Sequence, residues 1–233
     1  MLFNFSSYLC IASLIHSIAC FKIDLGNFIP SRLAANNELF STTAKKFSEI
    51  ERLTLADREK PYKFDPVSSK KIEGIIAEME NSMIKNPPNF PNDFSTLDGR
   101  WLLVYSNNLR AENNSPLALN QVFQVIDTDQ NSIKNVAYGI FKVPIFGNEI
   151  EIDFCLDHTF EITSQQYPAQ LEITLRETKV KNSEELYKKA LLTLPAFQSF
   201  AKPGRGRFDT TFLSDKLRIS RGVYGEVRLF KKV

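Results

Sequence analysis

Four charged residues near the end of the chain, Asp209, Asp215, Arg218 and Arg221, are the side chains whose types and spacing could bind a polar group. They lie on or between two predicted neighbouring strands, so strand pairing could bring them together at one end of a sheet. Such a cluster has two possible roles: a network of salt bridges that supports the fold, or a polar anchor for the head group of a ligand. The sequence leaves both open.

Residues that could perform catalysis or bind a metal are scarce. Of the two histidines, His16 lies in the apolar N-terminal segment, and His158 is predicted to lie in a turn between two strands. The sequence contains neither a His-x-x-x-His nor a Cys-x-x-Cys pair. Cys155 is predicted to be a small core residue rather than a nucleophile. We therefore predict no catalytic residues, no metal, no cofactor and no enzymatic activity.

The composition is that of a folded domain with many aromatic rings. The chain has 233 residues, 29 Lys and Arg against 27 Asp and Glu, and a net charge of +2. Apolar residues make up 43% and charged residues 24%, which excludes collagen-like, low-complexity and wholly disordered chains. Aromatic residues reach 12%, with 19 Phe, so we expect an apolar core or cavity larger than an ordinary fold needs.

The first 43 residues have the features of a targeting sequence. Residues 1–21 carry no charged side chain, and their apolar run 8–18 has the length of a signal-peptide core. We predict a signal peptide over 1–20 and an irregular, transit-like segment over 21–43. Together, the two segments resemble the bipartite presequence of algae whose plastids lie inside an extra membrane. The alternatives are a buried N-terminal helix and a plain secretory protein; the lone Cys155 outside the leader argues against an oxidising compartment.

Residues 44–91 are predicted to be a helical lead-in. One helix covers 44–60 and ends at Pro61, and a second begins near Pro66, capped by Ser68 or Ser69, and ends at 86–91. Each has a one-sided apolar stripe, which we expect to pack on the main body rather than on a membrane or cofactor. The stripes consist of Phe47, Ile50 and Leu53, and of Ile72, Ile75, Ile76, Met79 and Met83.

Residues 92–233 change to the period of β-strands. Consecutive antiparallel strands with one dry face must close or stack, and closure at about eight strands leaves room for one small ligand. We predict a mainly β fold, an antiparallel barrel of about eight or nine strands preceded by one or two α-helices; a two-sheet sandwich is the alternative. A short helix is expected at 183–194. The nine strand segments are 100–106, 121–126, 133–141, 149–154, 160–163, 170–180, 207–213, 216–220 and 226–231.

Alternation within the strands predicts which side chains point into the barrel and could contact a ligand. The loops 143–147 and 195–200 carry aromatic residues and are candidate mouth loops. The candidate interior residues are Leu103, Tyr105, Phe123, Val125, Ile152, Phe154, Ile173, Leu175, Phe212 and Ile219.

Two motifs resemble known families. Gly99-Arg100-Trp101 at the first strand resembles lipocalins, in which the Trp closes one end of the barrel and an Arg from a late strand lies over it. Arg218 or Arg221 would be that Arg. The stretch 206–222, ending in Leu-Arg-Ile-Ser-Arg-Gly, closely resembles the plastid lipid-associated protein (PAP)/fibrillin family, which is itself similar to lipocalins. Blocks at 72–91, 97–105 and 121–127 match that family in the same order, although Arg228 and Lys231 interrupt a final strand that is more apolar there.

The resemblance implies binding or organisation of small apolar lipids such as prenylquinones or carotenoids, at plastoglobules or thylakoids. A polar cluster with Trp101, Asp215, Arg218 and Arg221 would then anchor a quinone or lipid head group. The alternatives are a structural or assembly factor that contacts photosynthetic membrane proteins without a ligand and, ranked last, an enzyme that acts on a lipid within the barrel. Residues 201–233 hold nine Lys or Arg against three acids, which favours an anionic lipid surface over nucleic acid, since no aromatic platform is interleaved with the basic residues.

Overall fold

The strands are built from segments in which every second residue is apolar, as the alternation of side chains across a sheet requires. The computed structural model describes residues 30–55, 62, 64–85, 87, 93–109, 116–142, 149–181, 184, 188–189, 191 and 205–233. Residues up to Ser41 and residues Thr42–Val233 are separate compact units. In the first, the described residues form the start of a helix; the second contains the rest of that helix and all the strands.

Eight strands form one closed antiparallel barrel, in which each strand pairs with the next and the last pairs with the first. This confirms the predicted barrel and excludes the sandwich. A 3-10 helix, Phe94–Leu97, precedes the first strand. The strands are β1 Gly99–Ser106, β2 Leu117–Asp127, β3 Ser132–Lys142, β4 Glu149–Ser164, β5 Ala169–Lys181, β6 Arg205–Leu213, β7 Leu217–Gly222 and β8 Val227–Lys232.

The structure has eight strands rather than nine because two predicted segments are parts of β4, a single strand of 16 residues. Its middle, Cys155 to Thr159, continues the alternation, with Leu156 and His158 buried. The polar run Asp157-His158-Thr159 is typical of a turn in the sequence. In the structure it continues the strand, with His158 buried and its two neighbours partly exposed.

Two helices precede the barrel, α1 over Pro30–Leu55 and α2 over Pro66–Lys85. Helix α1 begins at Pro30 rather than Ala44, so residues 30–43, predicted to be irregular, are helical; a proline suits the first position of a helix. The cap of α2 is Asp65, not Ser68 or Ser69, because its Oδ1 accepts hydrogen bonds from Val67 N at 2.9 Å and Ser68 N at 3.0 Å. None of the helices in the described ranges is long and apolar enough to cross a bilayer.

The apolar side chains form two layers, one inside the barrel and one between the barrel wall and the helices. The predicted stripes of α1 and α2 pack in the second layer, for example Ile50 and Ile76 against Ile219 and Leu229. This confirms the expected packing role of the stripes. The wall formed by β1, β6, β7 and β8 is therefore apolar on its outer face, where the helices cover it.

Several predicted features lie outside the described residues: the signal peptide, residues 21–29, the loops 143–147 and 195–200, and most of the helix at 183–194. Of that helix, Lys188, Lys189 and Leu191 are described and are helical.

Candidate functional site

The end of the barrel at which β1 begins is built around Trp101, which is fully buried. Its Nε1 donates a hydrogen bond to Leu97 O of the 3-10 helix at 2.7 Å. The next residue, Asp98, accepts hydrogen bonds from Thr128 N at 2.6 Å and from Thr128 Oγ1 at 2.5 Å. Both the 3-10 helix and the turn between β2 and β3 are thus tied to this end of the barrel.

Arg218 of β7 lies inside the barrel and contacts Trp101. Its guanidinium carbon is 5.2 Å from the Trp101 ring centre and 4.4 Å from that of Phe230, which belongs to the interior layer, as Trp101 does. Nη2 donates a hydrogen bond to Gln124 Oε1, and Gln124 Nε2 in turn donates to Asn135 Oδ1 at 2.8 Å. The Trp and Arg pair therefore has the arrangement expected from the Gly-x-Trp motif, with Arg218 rather than Arg221 as the partner.

The remaining donors of Arg218 are unpaired. The side chain is 0% exposed, and its Nε and Nη1 have no hydrogen-bond partner among the described residues. Burial, followed by the nearby charge of Arg228, lowers the pKa of Arg218 to about 9. The guanidinium is still charged at neutral pH, and a buried charge without a counter-ion is costly.

A row of polar residues runs from strand to strand across the barrel wall, two residues away from Arg218 along β7. Ser106, Arg228, Ser220 and Thr210 are successive cross-strand partners on β1, β8, β7 and β6. Ser220 shares the face of Arg218, because residues two apart in a strand lie on one side, so the whole row points inward. Thr210 Oγ1 is buried with no hydrogen-bond partner in the part of the chain that the structure describes, and burial lowers the pKa of Arg228. We call these four residues and Arg218 the inner polar band.

Five of the ten predicted interior residues lie inside. Leu103, Ile152 and Phe154 are buried in the interior layer, and Ile173 and Leu175 pack against it. The lining around them includes further apolar residues that the alternation did not single out, such as Ala137 and Leu171.

The other five lie on the outer face, contrary to the prediction. Tyr105, Phe212 and Ile219 belong to the layer under the helices. Irregularities in pairing between Leu103 and Tyr105 and between Thr210 and Phe212 shift the alternation in β1 and β6. Ile219 faces outward because the apolar residues of β7 pack under the helices, while its polar neighbours Arg218 and Ser220 face the interior.

Phe123 and Val125 of β2 also face outward. The Arg100 guanidinium carbon lies 3.9 Å from the Phe123 ring centre, and Arg100 is exposed. Gln124, which lies between Phe123 and Val125, reaches the interior Arg218. The inward residues of β2 are therefore Val122, Gln124 and Ile126 rather than their neighbours.

The predicted cluster of four charged residues is divided by the barrel wall. Arg221 points outward and binds Glu80 of α2, with Nε and Nη2 at 2.7 and 2.6 Å from the carboxylate. Asp215 is exposed in the turn between β6 and β7, and Asp209 accepts a hydrogen bond from Gln170 Nε2 at 3.0 Å. Arg218 alone of the four enters the interior.

His158 is not a turn residue, since it is buried in β4 with Nδ1 3.1 Å from Leu156 O. Burial lowers its pKa, and burial raises the pKa of the half-buried Cys155 thiol. The described residues contain no group of three or more His, Cys, Asp or Glu that could hold a metal ion.

The sequence reasoning missed most of the inner polar band and also missed Tyr62. A usable signal existed for Gln124, which stands between two apolar inward residues, Val122 and Ile126, of one strand. Tyr62 inserts its hydroxyl between β1 and β2: it donates to Leu103 O at 3.3 Å and accepts from Val122 N at 3.0 Å. The spacing of residues in the chain carries no signal for this contact.

Comparison with known proteins identifies relatives of the chain. The family model PAP_fibrillin matches residues 53–231. Plastid-lipid-associated protein 6, chloroplastic, from Arabidopsis thaliana is 29% identical over 171 residues, which is 66% of this chain and 59% of that protein. The chain therefore spans about three fifths of the length of this curated relative.

Two solved structures are also similar to this chain. They are a lipocalin-like protein from Bacteroides uniformis (14% identity, TM-score 0.33, covering 59% of this chain and 99% of that one) and an uncharacterized protein from Bacteroides eggerthii (16%, 0.34, 58% and 98%). The family assignment rests on the sequence match, which covers the end of α1, all of α2 and the eight strands except the last residue of β8. The chain belongs to the PAP/fibrillin family of plastid lipid-associated proteins.

Proposed function

We propose that this protein binds a small apolar lipid inside its barrel. The observation that carries the proposal is the closed eight-stranded barrel, whose inward side chains are apolar over most of its length and polar in one band beside Trp101. Sites for small molecules have this character, with many apolar groups and a few polar groups that fix orientation. The names of the family and of the Arabidopsis relative, which refer to plastid lipids, support the same proposal.

The proposed place of action is a plastid, at the surface of a plastoglobule or a thylakoid, with a prenylquinone, a carotenoid or a lipid of similar size as the ligand. The predicted bipartite leader, 1–20 and 21–43, and the chloroplastic relative support a plastid. The basic C-terminal part supports contact with an anionic membrane surface. No enzymatic activity is proposed.

The first experiment is mass spectrometry of lipids that copurify with the full chain, followed by titration with the lipids found. Trp101 is the single tryptophan of the chain and contacts Arg218 inside the barrel, so its fluorescence reports on the interior. We expect saturable quenching or a spectral shift. Absence of both copurifying lipid and saturable binding would refute the proposal.

A matched pair of variants tests whether the lipid binds in the interior of the barrel or on its outer wall. Ala137 of β3 faces inward opposite Phe154, and the adjacent Val136 faces the other way. Ala137→Leu adds bulk to the interior and should weaken lipid binding at least several-fold, whereas Val136→Leu should not. Thermal unfolding of both variants checks that the barrel is intact.

A role without a ligand, as a structural or assembly factor for photosynthetic membrane proteins, is the second candidate. It is favoured by the dense packing of interior residues such as Ile133 and Leu171, both 0% exposed. This role predicts that Ala137→Leu leaves association with thylakoid membranes unchanged and that the purified protein carries no lipid.

A further inference from the structure

We propose that the lipid bound by this barrel is an amphiphile with an anionic head group, a carboxylate or a phosphate, held by Arg218 and Arg228 of the inner polar band. The inference rests on the proposed function, since it assumes that the interior receives a lipid. It specifies the chemical class: an apolar chain that ends in an anionic oxygen, rather than a neutral hydrocarbon or quinone.

The first argument is the number of free donors on Arg218. A guanidinium carries five N–H groups in a planar fork that matches the two oxygens of a carboxylate or phosphate. Nη2 donates a hydrogen bond to Gln124 Oε1, while Nε and Nη1 are buried without a partner among the described residues. Each of these two nitrogens has an N–H group that could donate to an anionic oxygen.

The second argument is the charge inside the barrel. Arg228 shares the interior wall with Arg218, and the two guanidiniums repel each other, since the charge of Arg228 acts to lower the pKa of Arg218. Glu226 favours the charged form of Arg228 and partly offsets this, but none of the described carboxylates forms an ion pair with Arg218. An anionic ligand would supply the missing charge.

The third argument is the surroundings of the two arginines. Thr210 Oγ1, in the same band, is a buried hydroxyl to which none of the described residues is hydrogen-bonded, and it could donate to an anionic oxygen. Trp101 and the 3-10 helix occupy the end of the barrel beside Arg218. A tail attached to an anion at Arg218 would therefore extend toward the strand ends at Lys142 and Glu149, past apolar residues such as Phe154 and Ile152.

The test compares two probes that differ only in the head group, cis-parinaric acid and cis-parinaryl alcohol, titrated into the full chain at pH 8. The variants are Arg218→Gln, Arg228→Gln and Thr210→Val, and the matched control is Arg207→Gln, an exposed arginine of β6. The wild type should bind the acid about 10- to 100-fold more tightly than the alcohol, the range expected for hydrogen bonds to a charged group. Arg218→Gln and Arg228→Gln should remove most of that ratio, Thr210→Val should reduce it several-fold, and Arg207→Gln should leave it unchanged.

The outcomes separate this inference from the proposed function. If acid and alcohol bind equally, or if the ratio survives in both arginine variants, the anionic head group is refuted and lipid binding stands. If neither probe nor any copurified lipid binds, both proposals fail. If inorganic phosphate at millimolar concentration stabilises the protein against heat in an Arg218-dependent way and displaces the acid, the site belongs to a free anion and the lipid assignment is refuted.

Arg218 also packs on Trp101, so Arg218→Gln could impair folding. Arg228→Gln and Thr210→Val, which do not alter the Trp101 contact, then decide the test. Loss of the acid preference in Arg228→Gln with an unchanged melting temperature supports the inference, and its retention overturns it.

Discussion

Arg221 donates two hydrogen bonds to the carboxylate of Glu80, from Nε at 2.7 Å and from Nη2 at 2.6 Å. The pair joins the outer face of β7 to α2, and Thr211 Oγ1 adds a third hydrogen bond to Glu80 at 2.6 Å. Glu80 is the less exposed partner, with 11% of its side chain accessible against 39% for Arg221. Removal of the carboxylate therefore leaves three donors near an apolar layer without this acceptor.

We expect Glu80→Gln to lower the free energy of unfolding by about 1–3 kcal/mol, because the lost acceptor is charged and largely buried. Urea unfolding of the variant, of Arg221→Gln and of the double variant measures the coupling between the two residues. The control is Glu49→Gln, which breaks the more exposed ion pair of Glu49 and Lys71 and should cost clearly less than Glu80→Gln. If Glu80→Gln and Glu49→Gln lower the free energy of unfolding equally, the buried pair stabilises the protein no more than the exposed pair, and the prediction is wrong.

Tyr62→Phe removes the hydroxyl that bridges Leu103 O and Val122 N, and should cost about 1–3 kcal/mol by leaving both backbone groups without this partner. It should also change the response to alkaline pH. Burial raises the pKa of Tyr62 to about 12, above its ordinary value of 10.0. A raised pKa means that the stabilisation is fully present below pH 10 and is lost as the pH rises from about 10 to 12.

The difference in unfolding free energy between wild type and Tyr62→Phe should therefore shrink between pH 9 and pH 12, which denaturant melts at several pH values can measure. Tyr138→Phe is the control, since the ring contact of Tyr138 with Phe123 does not need the hydroxyl. A difference between wild type and Tyr62→Phe that stays constant up to pH 12 would be inconsistent with the buried phenol.

Gly99→Ala should destabilise the barrel by about 1 kcal/mol or more. Gly99 has φ of +116°, and a Cβ there would lie 2.8 Å from Cε of Lys232 on the closing strand. Gly74→Ala is the matched control in α2, where a Cβ has no heavy atom within 4 Å, and it should stabilise the protein by about 0.5–1 kcal/mol. Thermal unfolding should move the two variants in opposite directions, and a shift in the same direction would count against the account of Gly99.

A fluorescent protein fused behind residues 1–43 should enter the plastid of an alga with a secondary plastid. Deletion of residues 1–20 should leave the fusion in the cytosol, and deletion of 21–43 should send it into the secretory route. Microscopy of the three fusions decides whether the leader is bipartite, because plastid import without residues 1–20 would show that the signal segment is not needed.

The sequence predicted the barrel well because its strands alternate clearly, and predicted the interior less well because two irregularities in pairing change which side chains face inward. After the shift near Val104, Tyr105 lies under the helices, and the same happens to Phe212 after Thr211. A bulge inserts one residue without a marked change in composition, so alternation counted along the sequence does not reveal it. In β7 the apolar Ile219 faces the helices and the polar Arg218 and Ser220 face inward, which is the reverse of the pattern that the prediction assumed.

The inner polar band shows a different limit. Arg218 and Arg221 are three residues apart in a strand and therefore lie on opposite faces. The Gly-x-Trp motif makes either arginine a candidate partner of Trp101. Only the strand register decides which of the two contacts Trp101. Asp215 belongs to the turn, so nothing in the pairing brings it inside.

The pairing of β1 with β8 has a consequence for the order in which the protein can form. Trp101 lies opposite Lys232, and Val233 N donates to Arg100 O at 2.9 Å. One edge of β1 therefore has no partner until β8 has left the ribosome. Such long-range closure is slow, so the edge of β1 stays open to other pairing partners for most of the time in which the barrel forms.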